Sequence, residues 1–129
     1  LGLYIAKCVV ETHGGTITAK NDGGLTFELA LLRGTDNRYL KAFVRDTLGV
    51  LEEYDRRNNG SLMQTLQVLV DHMGVQTQTA KALYLHRNTL LYRIHRIKAL
   101  TGLDLSQSRD LYKVGVALRV RLLLDEDNS

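Results

Sequence analysis

At 129 residues, with a formal net charge of +3 and with 44% hydrophobic and 24% charged residues, the chain can build one good core or two small ones without disulfide or metal staples. No apolar run approaches the roughly 18 residues that span a bilayer, and the absence of proline and tryptophan favours helices in the Leu, Ala and Val rich second half. The lone Cys8 cannot close an intrachain disulfide and reads as a core residue of a soluble, cytoplasmic protein in a reducing compartment. No basic, apolar leader is present, and a first residue of Leu1 rather than Met reads as an excised or processed piece.

The charge is unevenly placed. Residues 1–79 carry 8 Lys and Arg against 9 Asp and Glu, residues 80–121 carry 9 against 2, a net +7, and residues 122–129 add 3 acidic side chains. Such a basic stretch serves either as a solvated face or as a surface for a polyanion, and in a helical context nucleic acid leads.

The first 33 residues predict an αββ segment. Leu3, Ile5, Ala6, Val9 and Val10 have helical spacing that stops at His13, Gly14 and Gly15. Ile17 and Ala19 then alternate. Asn21, Asp22, Gly23 and Gly24 suit a tight turn, and Leu25, Phe27, Leu29 and Leu31 share one strand face. Leu1-Gly2-Leu3-Tyr4-Ile5-Ala6-Lys7, with His13-Gly14-Gly15-Thr16-Ile17 and Gly23-Gly24-Leu25-Thr26-Phe27, resembles the C-terminal end of the ATP-binding domain of sensor histidine kinases. The resemblance implies backbone approach to nucleotide phosphates. The family's asparagine-bearing helix and aspartate-glycine motif are missing, so these residues build no complete nucleotide pocket; a docking hairpin or fusion remnant is the other reading.

Residues 33–37 form a polar joint where the hydrophobic period changes from 2 to 3.6, which sets a domain boundary at 33/34. Beyond it, residues 34–129 read as a helical domain. Tyr39, Leu40, Phe43, Val44 and Leu48 form one stripe that breaks at Gly49, and Val50, Leu51 and Tyr54 continue as a second short helix ending at 58–60. Glu52, Glu53 and Asp55 read as its solvated face. Ser61 with Gln64 is a capping box, followed by the stripe Leu62, Leu66, Leu69, Val70 and Met73, which Gly74 ends. A short helix over 78–83, capped by Gln76 or Thr77, leads through Tyr84 and Leu85 to a longer helix over 86–100, which Gly102 terminates; a last helix runs over about 108–124.

A short helix, a tight turn and a longer basic helix make the helix-turn-helix plan. At about 100° per residue, Leu90, Ile94 and Ile97 lie within about 60° of each other, flanked by Leu91 and Leu100. That face predicts burial. The opposite face carries Asn88, Thr89, Tyr92, His95 and Arg96, with Arg87 in the first turn and Lys98 to the side. Arginine can pair with guanine and asparagine with adenine in the major groove, so Arg87 and Asn88 are the candidates for reading bases. Thr89, Tyr92 and Arg96 suit phosphates or groove edges, His95 and Lys98 add screened attraction, and Thr77 and Gln78 can reach a phosphate from the start of the preceding helix. Arg93, nearer the buried stripe, predicts an ion pair.

Thr79-Ala80-Lys81-Ala82-Leu83-Tyr84-Leu85-His86-Arg87-Asn88-Thr89-Leu90, followed by Tyr92-Arg93-Ile94 and Leu100-Thr101-Gly102-Leu103-Asp104-Leu105, is similar to the C-terminal helix-turn-helix of the PucR and CdaR type transcriptional regulators. The similarity extends back through Tyr54-Asp55-Arg56-Arg57 to Phe43. It implies a mainly α fold, a bacterial regulator binding double-stranded operator DNA through this domain, and a small-molecule effector sensed by other domains.

No phosphate-loop, nucleophile-elbow or paired-histidine zinc motif is present, and His13, His72, His86 and His95 lack metal-ligand spacing. The chain is therefore expected to be a non-enzyme without cofactor, metal or catalytic residues; a kinase fragment or a helical dimerisation module are the alternatives. The last helix carries Leu111, Val114, Leu118 and Leu122 on one face and Val116, Val120, Leu123 and Leu124 elsewhere. That is more apolar surface than one small core should need, which predicts a homodimer through this helix.

Overall fold

A computed structural model describes residues 36–127, which form five helices: α1 (Asn37–Asn58), α2 (Leu62–Asp71), α3 (Gln76–Leu83), α4 (Arg87–Thr101) and α5 (Ser108–Asp127). Among the described residues the fold is all-helical. The αββ segment, with Cys8 and the 33/34 boundary, lies outside the described residues.

Helix α1 starts at Asp36, whose carboxylate accepts from the Arg38 backbone N–H at 2.8 Å and also binds the Arg38 side chain. Its stripe of Leu40, Phe43, Thr47, Leu48 and Leu51 is buried. The helix does not break at Gly49. A single internal glycine weakens a helix by only about 1 kcal/mol, and the buried residues on both sides of it outweigh that. The helix ends at Asn59, in the left-handed conformation that asparagine tolerates, with Arg56 and Arg57 in the last turn. Both arginines hold Glu53, whose carboxyl sits below the ordinary glutamate range because Arg56, then Arg57, donate hydrogen bonds to it.

Asp55 is not part of a solvated acidic face. Its two carboxylate oxygens accept from the backbone N–H groups of Leu62 and Met63, each at 2.9 Å, so α1 caps α2. The expected Ser61 capping box does not form: Ser61 makes no side-chain cap bond. A carboxylate carries a full charge to the positive end of the helix, which a hydroxyl does not. Gly60 permits the approach, since a Cβ there would lie 2.6 Å from Asp55 Oδ1.

Helix α5 supplies more buried residues to the core than any other described helix. It packs most extensively on α1 and also against α2, so Val114, Val116, Ala117, Leu118, Val120 and Leu124 are all buried within one chain. Most of the apolar surface expected to be surplus is absorbed there, because two flanking helices cover two faces of α5, but Leu122 stays exposed. Arg121 Nε joins Glu52 of α1 at 2.6 Å. The core is completed by Leu48, Leu66, Leu69 and Ile97. Helix α3 is peripheral, contacting α2 and α4 and burying only Thr79.

Candidate nucleic-acid interface

The two helices of the plan are set by local hydrogen bonds. Helix α3 begins two residues earlier than its pattern suggests, with Val75 in the capping position and no side-chain cap; neither Gln76 nor Thr77 caps it, because both lie inside the helix. The Thr79 hydroxyl donates to the Val75 carbonyl at 2.8 Å. The N–H groups of this first turn therefore lack side-chain acceptors, and Gln76, Thr77 and Gln78 are exposed.

At the far end, Tyr84 N–H donates to the Lys81 carbonyl and Leu85 N–H to the Ala80 carbonyl, closing a Schellman turn with Tyr84 left-handed at φ 55°. His86 caps α4 rather than lying within it: its Nδ1 accepts from the Asn88 N–H at 3.0 Å. Histidine is outside the usual set of capping residues, which hid this role in the sequence. Gly102 ends α4 in the left-handed conformation, as its position predicts.

Helix α4 divides by face as the 3.6-residue period requires. Leu90 and Ile97 are fully buried, with Leu91, Ile94 and Leu100 half-buried beside them. Arg87, Asn88, Thr89, His95, Arg96 and Lys98 are exposed, and Tyr92 retains 63% of its surface.

Three of the basic side chains have partners that the pattern did not reveal. Arg93 donates from Nη1 to the Thr65 hydroxyl of α2 at 3.1 Å, a hydrogen bond to a neutral group and not the ion pair expected of it. The Arg96 guanidinium lies 5.2 Å from the centre of the Tyr54 ring on α1, a cation–π contact that fixes the arginine while leaving it exposed. Lys98 Nζ lies 3.8 Å from Asp104 Oδ2. The Asp104 carboxyl is held below its ordinary range, first by the Ser106 hydroxyl and backbone N–H and then by Lys98. Tyr54 and Thr65 are 42 and 28 residues from their partners in the chain, beyond the reach of any local spacing rule.

The fold brings Thr77, His95 and Lys98 together around a groove of about 600 Å³ between the start of α3 and the flank of α4. Asn88, Thr89, Tyr92 and Arg96, with Arg87 in the first turn, do not line it and are exposed. Among the described residues there is no cluster of three or more potential metal ligands, and no helix is long and apolar enough to cross a membrane.

Comparison with known proteins places this geometry. The model for the PucR C-terminal helix-turn-helix domain matches residues 62–120, from the start of α2 into α5. The chain is 47% identical over 70 residues to the carbohydrate diacid regulator of Escherichia coli K12, covering 54% of this chain and 17% of that protein. It is 35% identical over 94 residues to the purine catabolism regulatory protein of Bacillus subtilis, covering 73% of this chain and 18% of that protein. The proline-responsive transcriptional activator PutR of Bacillus subtilis is 33% identical over 73 residues, covering 57% of this chain and 18% of its own length. The chain thus spans less than a fifth of these relatives. No solved structure matches significantly. No comparison favours a kinase module. Residues 62–120 are a PucR C-terminal helix-turn-helix domain.

Proposed function

We propose that this chain is the DNA-binding end of a transcriptional regulator, with α4 as the recognition helix in the major groove. The observation that carries the reading is the division of α4: its aliphatic side is sealed by the core, while Arg87, Asn88, Thr89, Tyr92 and Arg96 are left to solvent. A helix fits the groove by width, and its N-terminal residues reach deepest. Arg87 reads guanine and Asn88 reads adenine, each through a pair of hydrogen bonds. Thr89, Tyr92 and Arg96 engage phosphates or the groove edge. Thr77 and Gln78 offer a phosphate the uncapped N–H groups of α3, and His95 and Lys98 add weaker attraction.

Two copies on a palindromic site would set their recognition helices about 34 Å apart. Support for a homodimer rests on a groove of about 590 Å³ between α2 and α5, where Met73 and Leu122 expose 84% and 61% of their surfaces. Sedimentation at tens of micromolar tests it; a monomer assigns the dimer contact to other segments. The relative PutR is named as a proline-responsive activator, which supports control by a small molecule here too; we place its sensing in parts of the polypeptide other than this domain. A role on operator DNA fits a cytoplasmic location.

Selection of duplexes from a random pool by this chain is the experiment. The reading predicts an enriched half-site arranged symmetrically. Retention of duplexes without sequence enrichment would contradict it.

A further inference from the structure

Four of the five helices end in a left-handed residue or turn, and the residues used there differ in kind. Gly102 closes α4, where an added Cβ would meet nothing within 4 Å, and Asn59 closes α1. Both are the residue types that adopt this conformation with least strain. Helix α3 instead ends on Tyr84, at φ 55° and ψ 40°. Past the end of α2, Met73 at φ 55° is the other bulky left-handed residue, and its side chain lines the groove between α2 and α5; Tyr84 stands instead at the turn that leads into the recognition helix.

Nothing among the described residues accounts for that tyrosine. The residue is 96% exposed, the highest value among the described large apolar and aromatic residues. Among the described residues its hydroxyl has no hydrogen-bonding partner and its ring no stacking partner. The two hydrogen bonds of the turn use only backbone atoms and would form equally with glycine. A strained backbone position bearing an unused, exposed aromatic side chain is a feature that function keeps and stability does not.

We propose that Tyr84 is a DNA-backbone contact, flanking the major groove beside the N-terminus of α4. The inference rests on the reading of α4 as the recognition helix. Tyr84 stands two residues before the His86 cap and three before Arg87. When a helix enters the groove end-on, the turn just ahead of it comes up against the sugar-phosphate strand. A phenol suits that place: the hydroxyl donates to a phosphate oxygen and the ring lies on the deoxyribose. Unlike arginine, tyrosine is uncharged. It displaces no counterion, so its contribution belongs to affinity and not to salt dependence, and a backbone contact does not discriminate sequence.

Three properties of the whole chain test this: melting temperature, affinity for a pool-selected duplex and for a scrambled one, and the slope of log affinity against log salt. Tyr84→Gly is expected to melt at or above the wild-type temperature, because glycine relieves the turn. It should also bind both duplexes about threefold to tenfold more weakly, with the salt slope unchanged. Tyr84→Phe should lose part of that affinity and Tyr84→Asn most of it, both remaining folded. Wild-type affinity in Tyr84→Gly, while Arg87→Ala still weakens the selected duplex, overturns the role of Tyr84 and leaves the recognition helix standing. A lower melting temperature in both Tyr84→Gly and Tyr84→Asn overturns it too, since the ring would then serve the fold. If the wild-type chain prefers no duplex over its scrambled form, the reading of α4 falls, and this inference with it.

Discussion

Helices α4 and α5 each carry four Lys and Arg, yet α4 has no acidic residue and α5 has four. Their surroundings differ as much. Helix α5 is wrapped by α1 and α2, and its Arg121 is spent on Glu52. Helix α4 buries only one side and holds its basic side chains against neutral groups, the Thr65 hydroxyl and the Tyr54 ring, with Lys98 alone near a carboxylate. A cation beside a neutral partner keeps its field for an outside anion; a cation beside a carboxylate does not. The run of +7 read along the chain is thus divided between a helix that carries four acidic residues of its own and one that carries none.

Substitutions can break this contrast. The largest effect belongs to the core that α5 organises: Leu66→Ala should cost about 2–5 kcal/mol in denaturant unfolding, whereas Tyr92→Ala on the open face of α4 should stay within about 0.5 kcal/mol. A comparable loss in both would mean that the outer face of α4 is structural. Next is Arg87→Ala, which should cost about 1–3 kcal/mol on a selected duplex and less on a scrambled one. Equal losses would remove base reading from Arg87. Asp55→Ala deprives α2 of its cap and should destabilise by about 0.5–2 kcal/mol without altering DNA preference. Gly49→Ala should stabilise by about 0.5–1 kcal/mol, since its Cβ would meet only Arg45 Cγ at 3.5 Å. Smallest is Glu53→Gln. The lowered Glu53 carboxyl contributes stability that is complete above the ordinary glutamate range and lost as pH falls through the lowered native value. The variant should therefore show a slightly flatter acid limb in a pH series of melting temperatures, and an unchanged limb would show that the arginines add nothing at this exposed site.

What could be read in the sequence was what depends on periodicity. The stripe of Leu90, Ile94 and Ile97, the opposite polar face, and Gly102 as terminator all follow from 3.6 residues per turn and the left-handed preference of glycine. N-capping escaped the local rules: neither Ser61 nor Gln76 or Thr77 caps its helix as expected. Asp55 caps α2 from another helix, and His86 uses a ring nitrogen where an oxygen is customary. The continuity of α1 through Gly49 and the burial of both sides of α5 were decided by tertiary packing, which local pattern does not carry. The partners of Arg93 and Arg96 were hidden for the same reason. Tyr84 was visible as a connection, but its strain and exposure required the backbone.

The contrast between α4 and α5 is tested most directly by the salt dependence of duplex binding in three proteins: wild type, Arg96→Ala and Arg121→Ala. If Arg96 meets a phosphate and Arg121 is occupied by Glu52, Arg96→Ala should flatten the slope of log affinity against log salt by about one, and Arg121→Ala should leave it unchanged. An unchanged slope in Arg96→Ala, or a flatter one in Arg121→Ala, would contradict the assignment of the DNA-binding face to α4.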